Sequence, residues 1–145
     1  MERLDADLRL DEVIARHVRD EGALLPILHA VQREFGCVDE AAKRRIAVAL
    51  NLSRAEVHGV VSFYHDFRDQ PAPRPVFKLC RAEACQARGV EALVPAAMDA
   101  AGDRVAIEAI YCLGLCSVGP AAMADGRIHA RLDGARLAAL IGAMA

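Results

Sequence analysis

Val76-Phe77-Lys78-Leu79-Cys80-Arg81-Ala82-Glu83-Ala84-Cys85 joins a short apolar strand to two cysteines with four residues between them. A later stretch repeats this logic. Val105 to Ile110 reads as a strand, and Cys112-Leu113-Gly114-Leu115-Cys116 follows it with three residues between its cysteines. In open α/β sheets, sites form outside the carboxyl ends of strands, where loops converge. Two such strands would deliver four thiols to one place. Between them, Gln86 to Ala101 carries apolar residues at helical spacing, with Pro95 inside and expected to kink or restart the helix. Ala121 to Ala124 and Arg127 to Arg131 flank Asp125-Gly126, a two-residue hairpin signal. Asp133 can cap a last helix through Leu137, Leu140, Ile141 and Met144. The order strand, helix, strand, strand, helix is that of a minimal thioredoxin-like domain.

Upstream, three of the six prolines fall in Pro71-Ala72-Pro73-Arg74-Pro75, which reads as a stiff linker over 71–75. Residues 1–70 before it have a helical apolar period. Leu10, Val13, Ile14 and Val18 form one stripe closed by Gly22, and Leu24, Ile27, Leu28, Val31 and Phe35 form a second ending at Gly36. Asp39 can cap a third helix that stops at Asn51. Ser53-Arg54-Ala55-Glu56 is a capping box for a fourth, expected to bury Val57, Val60, Val61 and Tyr64. The fold class is therefore α+β: a helical segment of about four helices, then a thioredoxin-like domain over 76–145.

The thiol spacing selects the chemistry. It does not fit a Cys-x-x-Cys redox pair, and it is unusual for a zinc knuckle. Two pairs on two loops suit a [2Fe–2S] cluster, in which each iron takes two thiolates. Gly114 lets the second loop fold closely around sulfur, where its amides can donate. Structural zinc is the competing reading, since four thiolates at these spacings just qualify, but zinc ribbons present tighter knuckles. Cys37 stands alone, and an idle buried thiol is its default. His17, His29, His58, His65 and His129 lack carboxylate companions at metal-ligand spacing and read as packing or surface residues. Arg81, Glu83 and Arg88 read as solvated surface around the first pair, where a partner would dock.

A chain of 145 residues, 54% hydrophobic and 26% charged, is globular. Its net charge of −2 and 4% aromatic content leave neither a basic arm nor a stacking platform for nucleic acid. The third and fourth helices could mimic a helix-turn-helix, yet Arg54 is the one firm cation on the second of them, so an iron–sulfur DNA- or protein-binding regulator is a minor alternative. No apolar run approaches the ~18 residues of a membrane span. The mixed charges of Met1-Glu2-Arg3-Leu4-Asp5-Ala6-Asp7 argue against a signal peptide, so a cytoplasmic location is expected, where paired cysteines favour metal over disulfide.

Several of these segments together resemble a known family. Leu25-Pro26-Ile27-Leu28 through Phe35-Gly36 looks like its second helix, and Val57-His58-Gly59-Val60-Val61-Ser62-Phe63-Tyr64 looks like its V-x-G-V-x-[ST]-F-Y helix. Cys80, Cys85, Arg88-Gly89, Cys112-Leu113-Gly114-Leu115-Cys116 and Pro120 match its cluster-binding half. The family is that of the small [2Fe–2S] subunit of NADH:quinone oxidoreductase, the matching subunit of NAD-reducing hydrogenases, and the gamma subunit of NAD-dependent formate dehydrogenase. The resemblance implies that Cys80, Cys85, Cys112 and Cys116 bind one cluster, and that the chain docks on a subunit holding FMN and binding NAD(H). Respiratory members usually carry Thr-Pro before the second cysteine. Here Cys80-Arg81-Ala82-Glu83-Ala84-Cys85-Gln86-Ala87 looks most like the formate dehydrogenase gamma subunit, which implies a large partner subunit with a molybdenum cofactor. With no dinucleotide loop, acid–base constellation or open metal position in the sequence, the chain is expected to be an electron-transfer subunit without turnover of its own.

Overall fold

The computed structural model describes residues 2–144, and the chain divides between Ala72 and Pro73 into two compact units. The first holds four helices: α1 (Glu2–His17), α2 (Leu24–Phe35), α3 (Glu40–Leu50) and α4 (Arg54–Phe63). Their ends are set by local chemistry. Gly36 closes α2 with a left-handed φ of 77°, which L side chains adopt at a cost. Asp39 caps α3 by accepting from the Ala42 N–H at 2.8 Å, and Asn51 closes it in the left-handed region. Ser53 and Glu56 form the complete capping box of α4, with the Ser53 N–H donating to Glu56 at 2.8 Å. Apolar faces of all four helices meet in one core around Ile27, Leu28, Val31, Ile46 and Val57.

One charged side chain enters that core region. Lys43 is 3% exposed, and its ammonium donates to Glu40 at 2.7 Å and Asp69 at 2.6 Å. Two carboxylates offset its burial. The segment after α4 is fastened by Gln32, which donates to the Asp66 carbonyl and accepts from the Arg68 N–H.

Tyr64 departs from the sequence expectation. The backbone leaves the helix at this residue, so the apolar period ends there and Tyr64 is exposed; Phe67 is the buried aromatic, with Tyr64 edge-on to it.

The second unit holds a four-stranded sheet of order β2-β1-β3-β4, from β1 (Val76–Cys80), β2 (Ala106–Ile110), β3 (Ala122–Ala124) and β4 (Arg127–His129). β1 runs parallel to β2 and antiparallel to β3, with Cys80 beside Ile110 in register. Alternation along β1 sends Phe77 and Leu79 into the core, each at most 1% exposed. Asp125 and Gly126 both take positive φ in the β3–β4 turn, as a type I′ hairpin requires. The helices α5 (Glu83–Ala87), α6 (Val90–Ala101) and α7 (Gly134–Ala143) complete the unit, with Val90, Leu137 and Ile141 in its core. Asp133 caps α7 by accepting from the Arg136 N–H at 2.8 Å.

The helical stretch between the strands breaks, but not at Pro95. Arg88 closes α5, Gly89, at φ 85°, opens the next helix, and Pro95 sits inside an uninterrupted α6. Proline removes one backbone donor there without ending the helix. Among the described residues no helix is long and apolar enough to cross a membrane.

Candidate metal centre

The parallel pairing of β1 and β2 brings the two cysteine loops to one end of the sheet. Cys80 is the last residue of β1, which is a central strand. Its N–H donates to the Ala121 carbonyl on one side, and the next N–H, of Arg81, donates to Ile110 on the other, both at 2.9 Å. Cys112 follows Ile110 by two residues. The first loop turns into α5, which places Cys85 back against the core; Cys80 and Cys85 are each 2% exposed. Cys112 and Cys116, by contrast, are exposed.

The second loop is bent by its own backbone. Cys112 takes a φ of 85° and Gly114 one of 75°. A positive φ at a cysteine is strained, and such strain persists where the surroundings hold it. The result is a tight turn in which the Gly114 N–H donates to the Cys112 sulfur at 3.3 Å and the Cys112 and Cys116 sulfurs stand 3.6 Å apart. Two thiolates on one tetrahedral metal, with bonds of about 2.3 Å, stand roughly 3.8 Å apart, so the second pair already has the separation of a metal chelate.

The thiols sense one another across the loops. Burial resists ionisation of Cys80, but hydrogen bonding from the backbone of Ala82, Cys112 and Leu113 and from the Cys85 thiol prevails and holds it below the usual thiol range. Cys85 is pushed up, by burial first, then by the Cys80 thiol, with the charges of Cys80 and Cys116 adding. Cys116 is pushed up by hydrogen bonding and charge from Cys112, by burial, and by the charge of Cys80. Four thiolates this close repel, and a cationic centre relieves that repulsion. The donor set therefore fits a thiolate-ligated metal centre. Among the described residues no three or more His, Cys, Asp or Glu gather as a site for a single metal ion. The thiols come as two pairs.

Two residues beside the site carry more than their sequence context suggests. Gly119, at φ −63°, has an ordinary backbone, but a Cβ there would stand 3.0 Å from the Cys85 sulfur and 3.3 Å from Arg88 Cδ. Its requirement is space, created by a residue 34 positions away, and no local pattern announces it. Arg88 is exposed as expected, yet its Nε donates to the Cys116 carbonyl at 3.0 Å and so bridges the two cysteine loops. Arg81 forms a two-bond ion pair with Glu91, at 2.9 and 2.6 Å. Cys37 lies apart, in the helical unit, and burial raises its pKa above the ordinary thiol value.

A thioredoxin-like sheet with paired thiols on loops past the ends of two parallel strands defines a class of metal-binding domain. The chain belongs to the thioredoxin-like [2Fe–2S] ferredoxin family, whose model matches residues 10–145. It is 28% identical over 141 residues to an NADH-quinone oxidoreductase subunit of Rhizobium meliloti, covering 91% of this chain and 84% of that protein. It is 26% identical over 144 residues to NAD-reducing hydrogenase HoxS subunit alpha of Cupriavidus necator, of which it spans 24%. The crystal structure of an NAD+-reducing [NiFe]-hydrogenase in the air-oxidized state superposes with a TM-score of 0.64 at 29% identity, over 81% of this chain and 22% of that one.

Proposed function

We propose that Cys80, Cys85, Cys112 and Cys116 hold one [2Fe–2S] cluster, and that the chain carries electrons within a soluble, cytoplasmic NAD-dependent formate dehydrogenase. The carrying observation is the convergence of two thiol pairs at one end of β1 and β2. When bound, the cluster supplies a one-electron carrier. The chain's own residues do the rest. The two pairs provide two thiolates per metal, and the Gly114 amide stabilises the Cys112 thiolate. Leu113 and Leu115, both half-buried, keep water from one side of the loop. The exposed Cys112 and Cys116 give the face through which an electron passes to a partner.

Residues 76–145 are the cluster domain on this reading, 1–70 a docking domain, and 71–75 a proline-rich linker between them. The partner in contact with the chain holds FMN and binds NAD(H), and a large subunit oxidises formate at molybdenum. The segment Cys80 to Ala87 supports the formate dehydrogenase branch. The names of the relatives favour a second reading, the equivalent subunit of an NADH dehydrogenase or NAD-reducing hydrogenase. A DNA-binding role gains no support: α4 carries Arg54 as its one arginine or lysine, and Lys43 on α3 is buried and engaged by two carboxylates.

The test is purification of the native complex on a tagged full-length chain. Formate-dependent NAD reduction and a molybdenum-containing large subunit are expected. Hydrogen- or quinone-linked NAD(H) turnover without formate activity would establish the second reading instead. About two irons and two sulfides per chain are expected in either case, and stoichiometric zinc overturns the cluster assignment.

A further inference from the structure

Two arginines flank the thiol pairs, and they are bound differently. Arg81 is neutralised by Glu91. Arg88 makes no ion pair among the described residues; its Nε–H is spent on the main-chain carbonyl of Cys116. It also ends α5, its own N–H bonding to the Cys85 carbonyl at 3.2 Å, so it is tied by its backbone to one thiol pair and by its side chain to the other. Its Cδ and the Cys85 sulfur both lie where a Cβ on Gly119 would stand, at 3.3 and 3.0 Å, so the stem crosses the loops in the space that this glycine leaves open.

From this we infer that Arg88 is a positioning residue for the thiolate centre, clamping the Cys116 loop through Nε while its uncompensated charge makes the cluster easier to reduce. The inference rests on the cluster assignment above. Reduction adds negative charge, and a nearby cation favours the more negative state. The clamp acts on the exposed pair, from which iron would be lost first. Groups that orient metal ligands from outside the coordination shell commonly change affinity by about 10–100-fold when removed.

Side-chain chemistry separates the two roles. Gln places an amide nitrogen where arginine has Nε, so Arg88→Gln keeps a donor and loses the charge. Lys places a carbon there, so Arg88→Lys keeps the charge and loses that donor. In the reconstituted full chain, Arg88→Gln should shift the midpoint potential to more negative values and release iron to a chelator at the wild-type rate. Arg88→Lys should keep the wild-type potential and release iron roughly tenfold faster or more. Wild-type potential in Arg88→Gln, or wild-type iron release in Arg88→Lys, overturns the role of Arg88 while leaving the cluster assignment standing. A wild-type chain that takes up zinc and shows no sulfur-to-iron absorption overturns the underlying reading, and this inference with it.

Discussion

The two units solve the same problem, ending secondary structure cleanly, in different ways. In the helical unit these ends are satisfied close in sequence: by the side chains of Asp39 for α3 and of Ser53 with Glu56 for α4, and by the backbone N–H groups of Gly36 and Asn51 at the far ends of α2 and α3. In the cluster unit, the loop after β2 is held by contacts distant in sequence, Arg88 to Cys116 and Gly119 against Cys85, around a cysteine in a left-handed conformation. Local capping keeps backbone strain low and asks little of the rest of the chain. In the second unit the strained φ of Cys112 accompanies two sulfurs 3.6 Å apart on one short loop.

The largest contrast is expected at the cysteines. Cys80→Ala should abolish the visible charge-transfer absorption of the reconstituted chain, since the buried pair would lose one of the four proposed ligands, whereas Cys37→Ser should retain full iron content. Iron loss on changing Cys37 alone would move a metal ligand into the helical unit and erase the difference between the two halves.

Gly119→Ala comes next. The added methyl meets the Cys85 sulfur at 3.0 Å, tighter than a relaxed contact, so about 1–3 kcal/mol of destabilisation is expected, with accelerated cluster loss. Unchanged denaturant midpoints would show that Cys85 and Arg88 move aside freely. Gly114→Ala isolates strain from crowding, because a Cβ there meets nothing within 4 Å while φ stays positive. A cost of about 1–2 kcal/mol is expected, read from thermal unfolding of the cluster unit by near-ultraviolet or visible signals.

The smallest effect is expected in the helical unit. Ser53→Ala should remove about 1 kcal/mol, measured by helical circular dichroism in urea. This loss should depend on pH. The Ser53 hydroxyl and amide hold the Glu56 carboxyl below its ordinary value of 4.5. A depressed folded-state pKa contributes stability that is present above 4.5 and disappears as pH falls through the lowered value. Wild type and variant should therefore draw together in acid. A constant difference down to low pH would mean that the bond from the Ser53 hydroxyl to the Glu56 carboxylate takes no part in the loss.

What is readable in the sequence follows the reach of each contact, in both units. Asp39, Ser53 with Glu56, Asn51, Asp133 and Asp125-Gly126 act on residues one turn away, so their roles are visible in the string and recur in the structure. Tyr64 escapes this reading because helical periodicity says which face is apolar but not where the helix stops. Pro95 misleads because the φ of Gly89, rather than the proline ring, sets the break. At the thiol site, the paired cysteines and the Gly114 turn can be read directly. Arg88 and Gly119 cannot, since what they do depends on a partner loop that only the sheet brings near.

The unequal burial of the two thiol pairs also gives the centre an inside and an outside. Cys80 and Cys85 are enclosed once the core around Phe77 has closed, whereas Cys112 and Cys116 remain at the surface. On the proposed assignment, cofactor insertion has a direction. A donor protein would reach the surface pair before the enclosed pair. By the same exposure, an oxidant would reach Cys112 and Cys116 before Cys80 and Cys85.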